Sequence, residues 1–276
     1  MSRLATRFDA LAKASRKALI PYIMSGDPQP GVTLPLMHAM VDAGADVIEL
    51  GAPFSDPMAD GPVIQQAAER ALANGVDMAQ VFDTVRAFRQ QDTDTPIILM
   101  GYLNPIEVMG YTEFASRAAE AGVDGVITVD MPPEEGEDYI AALRANAIDP
   151  VFLLAPTTTE ARIDKIAAAA SGFVYYVSLK GVTGAATLDV GEVADKVATI
   201  RRHISLPVGV GFGISDADTA AAVSACADAV VVGSAIVKRM AAHSGDRDRI
   251  IEQVSSLLAA MRSAMDAAAE HDRKKA

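Results

Sequence analysis

The chain has 276 residues, of which half are apolar, 22% are charged and 5% are aromatic, and its formal net charge is -12. An apolar share of this size excludes a disordered chain, and the lack of an apolar run of about 18 residues excludes a membrane-spanning helix. The acidic balance argues against a nucleic-acid partner, because like charges repel. The lone cysteine, Cys226, excludes an internal disulfide and is predicted to be a small buried apolar residue.

The first segment, about residues 1–17, is predicted to form an amphipathic helix. Leu4, Phe8, Leu11 and Ala12 recur there at helical spacing. The segment carries basic residues but lacks the apolar centre of a signal peptide, so we expect a cytoplasmic protein.

Eight short apolar runs follow, and each is predicted to be a parallel strand because both of its faces are apolar. The runs are Ala18–Ser25, Asp46–Gly51, Pro96–Tyr102, Gly125–Asp130, Asp149–Ala155, Phe173–Ser178, Pro207–Gly213 and Ala229–Ile236. Segments of helical period lie between them, and the junctions AGADVIELG and AGVDGVITVD repeat one helix-to-strand unit. Eight such units favour an α/β fold of the (β/α)8 TIM barrel type over a doubly wound sheet, for which a GxGxxG motif is missing.

We expect a single barrel domain over residues 1–276, because no linker rich in Gly, Pro or Ser interrupts the pattern. The N-terminal helix is expected to cover the apolar bottom of the barrel. The connection from the second to the third strand is about twice the usual length for barrels and holds the loop GAPFSDPMADGP. Residues from about 268 to 276 are expected to form a polar, frayed tail.

Glu49 is the first catalytic candidate, since it interrupts an apolar strand near the carboxyl end, where barrels place functional groups. Side chains alternate between the two faces of a strand, so Glu49 lies on the same face as Val47 and Gly51, toward the barrel mouth. A structural carboxylate satisfied by a nearby donor is the alternative.

Asp56 and Asp60 follow in the loop, where a turn or a helix cap is the alternative for each. Paired with them, Glu49 would be the carboxyl group of raised pKa in an acid and base pair.

Two short glycine-containing segments after the seventh and eighth strands are candidates for phosphate binding. They are GFGIS at residues 211–215 and GSA at residues 233–235. Small residues let the backbone approach an anion, and N–H groups at a helix start bind phosphate without a basic side chain. Simple tight turns are the alternative.

The segment at residues 178–192 is rich in Gly, Ala and Thr, which favours a lid over a ligand, with an ordinary surface loop as the alternative. Lys180 lies in this loop and not within a strand, so a Schiff base on it is not expected. The four histidines lack metal-ligand spacing, so no metal site is predicted.

The motifs IELGAPFSDPMADGP, LMGYLNP, SLKGVTG, GFGIS and GSAIVK occur in this order. From the first strand to the eighth, the chain therefore resembles the tryptophan synthase alpha subunit family. The resemblance implies a lyase that cleaves indole-3-glycerol phosphate to indole and glyceraldehyde 3-phosphate, with no cofactor in this subunit. It implies that Glu49 is the general acid and base at indole C3 and the glycerol hydroxyl, and that Asp60 polarises the indole N–H.

The resemblance also implies a substrate pocket. The residues that would bind the substrate are Tyr22, Met100, Tyr175, Thr183 and Phe212, and those that would bind its phosphate are Gly184, Gly213, Gly233 and Ser234. Thr183 would close the lid toward Asp60. Some members carry Phe in place of Tyr22, Leu in place of Met100, or Arg in the lid where Leu179 and Lys180 stand, which affects pocket shape, pocket polarity and lid closure.

A partner is implied in the same way. The family's beta subunit carries pyridoxal phosphate, receives indole through a tunnel and activates the alpha subunit within an alpha2beta2 tetramer. Asp56, Pro57, Asn104 and Pro105 would lie at or near that interface. Two alternatives stay open: another phosphate-binding barrel aldolase or isomerase, and a catalytically idle barrel that binds and activates a partner.

Overall fold

Strands and helices alternate along the chain. The computed structural model of the protein describes residues 2–178, 189–211 and 213–275. The strands are β1 (Ala18–Met24), β2 (Ile48–Gly51), β3 (Ile97–Gly101), β4 (Gly125–Thr128), β5 (Asp149–Leu154), β6 (Val174–Val177), β7 (Val208–Gly211) and β8 (Ala229–Val232). Each of them lies within one of the apolar runs of the sequence.

Helices follow most of these strands, and several begin at a side chain that caps them. The helices are α1 (Arg3–Lys13), α2 (Pro30–Asp42), α3 (Pro62–Ala73), α4 (Met78–Arg89), α5 (Leu103–Met109), α6 (Tyr111–Ala121), α7 (Glu137–Ala145), α8 (Glu160–Ala169), α9 (Val190–His203), α10 (Ala217–Ser224), α11 (Ser234–Ala242) and α12 (Arg247–Lys275). Asp77 and Asp216 form capping boxes at the starts of α4 and α10, which satisfies N–H groups that a helix leaves unpaired.

The described strands form a closed parallel barrel. Each strand pairs with its neighbours along the chain, and β1 pairs with β8. This confirms the predicted (β/α)8 TIM barrel. In the register of β1 with β2, Tyr22 lies opposite Glu49, so both residues reach the carboxyl-terminal end of the barrel.

Helix α1 lies across the amino-terminal end of the barrel. Leu4, Phe8 and Leu11 are buried and pack with residues of the barrel interior. The ring of Phe8 lies 5.7 Å from that of Phe173, measured between centroids. Ala12, the fourth apolar residue of the predicted helix face, is exposed.

The structure differs from the sequence prediction at several places. The eighth predicted strand ends at Val232, because Gly233 is followed directly by helix α11. An apolar run does not by itself separate a buried strand from a buried helix, which explains this error. The short helix α5 has no counterpart in the prediction. Helix α12 continues to Lys275, so residues 268–275 are helical where the sequence suggests a frayed tail. Cys226 is half-buried, not buried.

Three aspartates repeat one contact at the amino-terminal end of the barrel. Each precedes an even-numbered strand and accepts a hydrogen bond from a backbone N–H near the start of the preceding strand. The pairs are Asp46 with Leu19 at 2.9 Å, Asp124 with Ile97 at 2.8 Å and Asp228 with Val208 at 3.0 Å. The repeated junction in the sequence therefore corresponds to a repeated tie between neighbouring strands.

Each of these carboxylates also has an arginine partner from an outer helix. The N···O distances are 3.2 Å for Arg262 with Asp46, 2.7 Å for Arg89 with Asp124 and 2.9 Å for Arg201 with Asp228. Arg3 of α1 also contacts Asp124, at 2.8 Å. Charge pairing offsets the cost of removing these carboxylates from water, and it fastens the helices to the barrel.

We expect Arg89→Met to lower the free energy of unfolding by about 2 to 4 kcal/mol, because it leaves the buried carboxylate of Asp124 with the exposed Arg3 as its cation. Urea unfolding measures the change. Arg86→Met on the same helix is the matched control. Arg86 pairs with Asp83 at the surface, so its loss should cost less than about 1 kcal/mol. Equal losses in the two variants would contradict the role given to Arg89.

Candidate active site

Glu49 lies inside the barrel at the carboxyl-terminal mouth. It is 1% exposed, and within the described part of the chain its Oε2 atom has no hydrogen-bond partner. The alternation along β2 places it above Val47, which belongs to the interior cluster. This unpaired oxygen does not fit the alternative interpretation of Glu49, which is a structural carboxylate satisfied by a nearby donor.

Burial, together with the smaller effect of the negative charge of Asp60, raises the pKa of Glu49 from its ordinary value of 4.5 to about 8. Desolvation disfavours the ionised form, and a like charge acts in the same direction. At neutral pH, Glu49 therefore holds a proton that it can donate.

Asp60 lies half-buried in the loop between β2 and α3. Burial raises its pKa to about 6, an effect that the hydroxyl of Tyr102 partly offsets. The loop is held from α3, where Gln65 donates to the backbone oxygen of Asp60 at 2.9 Å. Asp60 is thus mostly ionised at neutral pH while Glu49 is mostly protonated. Two neighbouring carboxyl groups with separated pKa values can divide acid and base roles.

Two buried tyrosines stand beside these carboxyl groups. Burial raises the pKa of Tyr22 and of Tyr175 well above the usual range, and the charges of Asp60 and Glu49 add to the effect. Their hydroxyls occupy the space that a β-carbon would need at Gly51 and at Gly211, respectively. Glycine at the ends of β2 and β7 is therefore required by the tyrosine rings.

The remaining predicted pocket residues divide into two groups. Met100 is partly buried and packs with the interior cluster at the end of β3. Thr183, Gly184 and Phe212 lie outside the described residues, as do residues 179–188 of the segment 178–192 that the sequence predicts to be a lid.

The two predicted phosphate loops differ in the helix that follows each of them. Gly213 is exposed with φ +78°. The next helix, α10, begins with a capping box in which the Asp216 side chain accepts from the N–H of Thr219 and the Thr219 hydroxyl accepts from the N–H of Asp216. Helix α11 begins at the exposed Ser234 after Gly233, and no side chain caps it among the described residues. The start of α11 therefore offers backbone N–H groups to an anion.

The four predicted interface residues lie on two neighbouring segments at the same end of the barrel. Asp56 and Asn104 are exposed, while Pro57 and Pro105 are half-buried. The same segments carry two apolar side chains in water: Met58 is 84% exposed and Val108 is 83% exposed.

Within residues 2–178, 189–211 and 213–275, no group of three or more His, Cys, Asp or Glu side chains has an arrangement that could hold a metal ion. In the same ranges, none of the helices combines the length and apolar character needed to cross a bilayer.

Residues 8–268 match the sequence profile of the family described as "Tryptophan synthase alpha chain". The chain belongs to the tryptophan synthase alpha chain family. It is 66% identical to the tryptophan synthase alpha chain of Thioalkalivibrio sulfidiphilus over 266 residues, covering 96% of this chain and 100% of that one. It is 60% identical to that of Nitrosococcus oceani, covering 97% and 98%. A solved structure of tryptophan synthase subunit alpha from Legionella pneumophila has a TM-score of 0.90 at 42% identity, with coverage of 97% and 99%.

The tryptophan synthase alpha family cleaves indole-3-glycerol phosphate to indole and glyceraldehyde 3-phosphate in tryptophan biosynthesis, and this chain is such a lyase. The resemblance drawn from the sequence is thereby confirmed. Neither a different phosphate-binding barrel enzyme nor a catalytically idle barrel is favoured.

Sequence reasoning missed Tyr102 as part of the candidate site, and it missed the contacts of Gly51 and Gly211 with tyrosine rings. Tyr102 stands in the motif LMGYLNP directly after a strand, which is a weak signal of a functional position. The two glycines are the last residues of apolar strands, and nothing in the sequence indicates the tyrosine rings that face them.

We expect Glu49→Gln to stabilise the protein relative to wild type, by an amount that grows as pH rises from about 4.5 to about 8 and is constant above that. The unfolded chain ionises Glu49 near its ordinary pKa of 4.5, whereas the folded chain keeps the proton up to about 8. The folded wild type binds more protons across this window, so its stability falls as pH rises.

Thermal unfolding at several pH values between about 5 and about 9 measures this difference. Glu69→Gln, at an exposed position of α3, is the control, and no comparable rise is expected because its carboxylate stays in water. A difference between Glu49→Gln and wild type that does not change with pH would show that Glu49 is not desolvated.

Proposed function

We propose that Glu49 and Asp60 perform the proton chemistry of the cleavage. The observation that carries this is the pair of shielded carboxyl groups at the barrel mouth, with a pKa of about 8 for one and about 6 for the other. Near neutral pH, one is a proton donor and the other an anion. Both states are what the reaction needs, since carbon must be protonated while positive charge on the ring is stabilised.

In this proposal, Glu49 gives its proton to C3 of the indole ring. Asp60 accepts a hydrogen bond from the ring N–H and stabilises the positive charge of the indolenine. The glycerol hydroxyl next to the bond then returns a proton to Glu49. The bond between C3 and the glycerol carbon breaks, its electron pair restores the aromatic ring, and the carbon becomes the aldehyde of glyceraldehyde 3-phosphate. Glu49 ends protonated, as it began.

The pocket residues are proposed from the family resemblance, and Tyr22 and Tyr175 also from their position beside this pair. Tyr22 and Met100, at the ends of β1 and β3, would contact the indole ring together with Phe212. Tyr175 would help to orient the substrate, and Thr183 would close over it toward Asp60. The burial of Tyr22 and Tyr175 against Gly51 and Gly211 supports a rigid wall at this position.

The phosphate is proposed to bind at the start of α11, through the N–H groups that follow Gly233 and through Ser234, with Gly213 and Gly184 alongside. The uncapped helix start supports this choice. Partial positive charge at a helix start holds an anion without a lysine or arginine, which suits a chain whose net charge is -12.

Family membership implies a beta-subunit partner. We infer an alpha2beta2 assembly in the cytoplasm, in which the partner carries pyridoxal phosphate and this chain needs no cofactor. The partner would contact Asp56, Pro57, Asn104 and Pro105. The exposed Met58 and Val108 on the same two segments support this surface.

Release of indole from indole-3-glycerol phosphate, with and without a tryptophan synthase beta chain, is the test. The wild type should release indole, and faster with the partner. Glu49→Gln and Asp60→Asn should each lower the rate by at least about 100-fold, the usual contribution of one well-placed acid or base. The profile of kcat/KM against pH should have limbs near 6 and near 8, because Asp60 must be ionised and Glu49 protonated.

Glu69→Gln should keep the wild-type rate, since it removes a carboxylate at an exposed position of α3 away from the mouth. Near wild-type turnover in Glu49→Gln would remove Glu49 from its proposed role, and the same result in Asp60→Asn would remove Asp60.

Ser234→Asp is expected to raise KM by at least about tenfold, because its carboxylate would occupy or repel the phosphate at the start of α11. Thermal stability should be equal or higher, since a carboxylate in the first turn of a helix is favourable by about 0.3 to 1 kcal/mol. Ser234→Asn is the control of similar size without the charge. Equal KM values for the two variants would place the phosphate elsewhere.

A further inference from the structure

Tyr102 contacts both ends of the loop that carries Asp60. The residue is 4% exposed and lies between β3 and α5. Its ring stacks on that of Phe54 at a centroid distance of 5.4 Å. Its hydroxyl oxygen accepts a hydrogen bond from the backbone N–H of Ala59 at 3.0 Å. Phe54 lies near the start of the loop and Ala59 directly precedes Asp60, so the Tyr102 side chain holds the loop at two points.

The hydroxyl of Tyr102 can also donate. Its oxygen takes the N–H of Ala59, the residue directly before Asp60, which leaves its proton available to the neighbouring carboxylate of Asp60. This hydroxyl lowers the pKa of Asp60 against the effect of burial. Burial and the charge of Asp60 raise the pKa of Tyr102 itself. The tyrosine therefore stays protonated and remains a donor to Asp60 throughout the range in which Asp60 ionises.

The backbone next to Tyr102 is fixed from a third segment. The Oδ1 atom of Asp130, after β4, accepts a hydrogen bond from the N–H of Leu103 at 2.7 Å. Leu103 is the first residue of α5, and Tyr102 is its N-cap without a side-chain cap bond of its own. Asp130 thus supplies the acceptor that the helix start needs, and this fixes the point from which the Tyr102 side chain extends.

We propose that Tyr102 is a positioning residue for the reaction: it holds the loop that carries Asp60 and places a hydroxyl beside the Asp60 carboxylate, and Asp130 holds Tyr102 in place through the start of α5. This rests on the proposed role of Asp60 at the indole N–H. Tyr102 acts through Asp60 and need not touch the substrate.

Tyr102→Phe tests this, since it keeps the ring on Phe54 and removes the hydroxyl. We expect kcat/KM to fall by about tenfold, the effect of one hydrogen bond to an ionised group. The acidic limb of the profile of kcat/KM against pH should move to higher pH, because ionised Asp60 loses a donor. In the Asp60→Asn background, Tyr102→Phe should cause less than about a twofold further loss, since residues that act as a unit are not additive.

Tyr139→Phe is the matched control. Tyr139 is 3% exposed, and its hydroxyl lies 2.9 Å from Oγ1 of Thr128. This variant loses one buried hydroxyl away from the Asp60 loop. The acidic limb of its profile of kcat/KM against pH should therefore lie at the same pH as in wild type. Asp130→Ala, which leaves Tyr102 in the chain, should shift the limb in the same direction as Tyr102→Phe by a smaller amount, and it provides the test if Tyr102→Phe does not fold.

An unshifted acidic limb in both Tyr102→Phe and Asp130→Ala would overturn the proposal, as would a tenfold loss from Tyr102→Phe that persists in the Asp60→Asn background. Failure of the underlying function looks different. In that case wild type releases no indole, or Asp60→Asn alone keeps the wild-type rate.

Discussion

Closure of the parallel barrel is the constraint on which the other features depend. Because β1 pairs with β8, each strand has a partner on both sides, and the ring leaves an interior that helices and side chains seal from water. A polar group that points inward near the mouth is then desolvated by the architecture itself. Glu49 occupies such a position, so its raised pKa follows mainly from its burial on β2, and the charge of Asp60 adds to the effect.

Buried carboxyl groups have opposite surroundings at the two ends of the barrel. At the amino-terminal end, Asp46, Asp124 and Asp228 are paired with arginines and with backbone N–H groups. At the mouth, Glu49 has no such pairing among the described residues. The paired carboxylates hold helices to strands, whereas the unpaired carboxyl group of Glu49 stays available for chemistry at the expense of stability. The length of the strands keeps these two kinds of carboxylate apart.

The sequence predicts those features whose signal is local. A charged residue within an apolar strand singled out Glu49, and turn residues around Asp60 marked the loop. Helix α5 has only seven residues, too few to show a period, and α11 continues an apolar run without a change of composition. The contacts of Tyr102 with Phe54 and Ala59 join segments that are more than 40 positions apart, and only the closed barrel brings them together. Likewise, only the pairing of neighbouring strands brings the rings of Tyr22 and Tyr175 to Gly51 and Gly211.

The candidates for proton chemistry and for phosphate binding lie in different halves of the barrel. Glu49 and Asp60 belong to the segment from β1 to β4, whereas the uncapped start of α11 belongs to the segment from β5 to β8. In the placement proposed above, a substrate with its ring at the first and its phosphate at the second would span the pairing of β8 with β1, where the chain closes the barrel. Bound ligand would then stabilise the closure of the barrel as well as occupy the site, because a ligand that binds only the folded state stabilises that state.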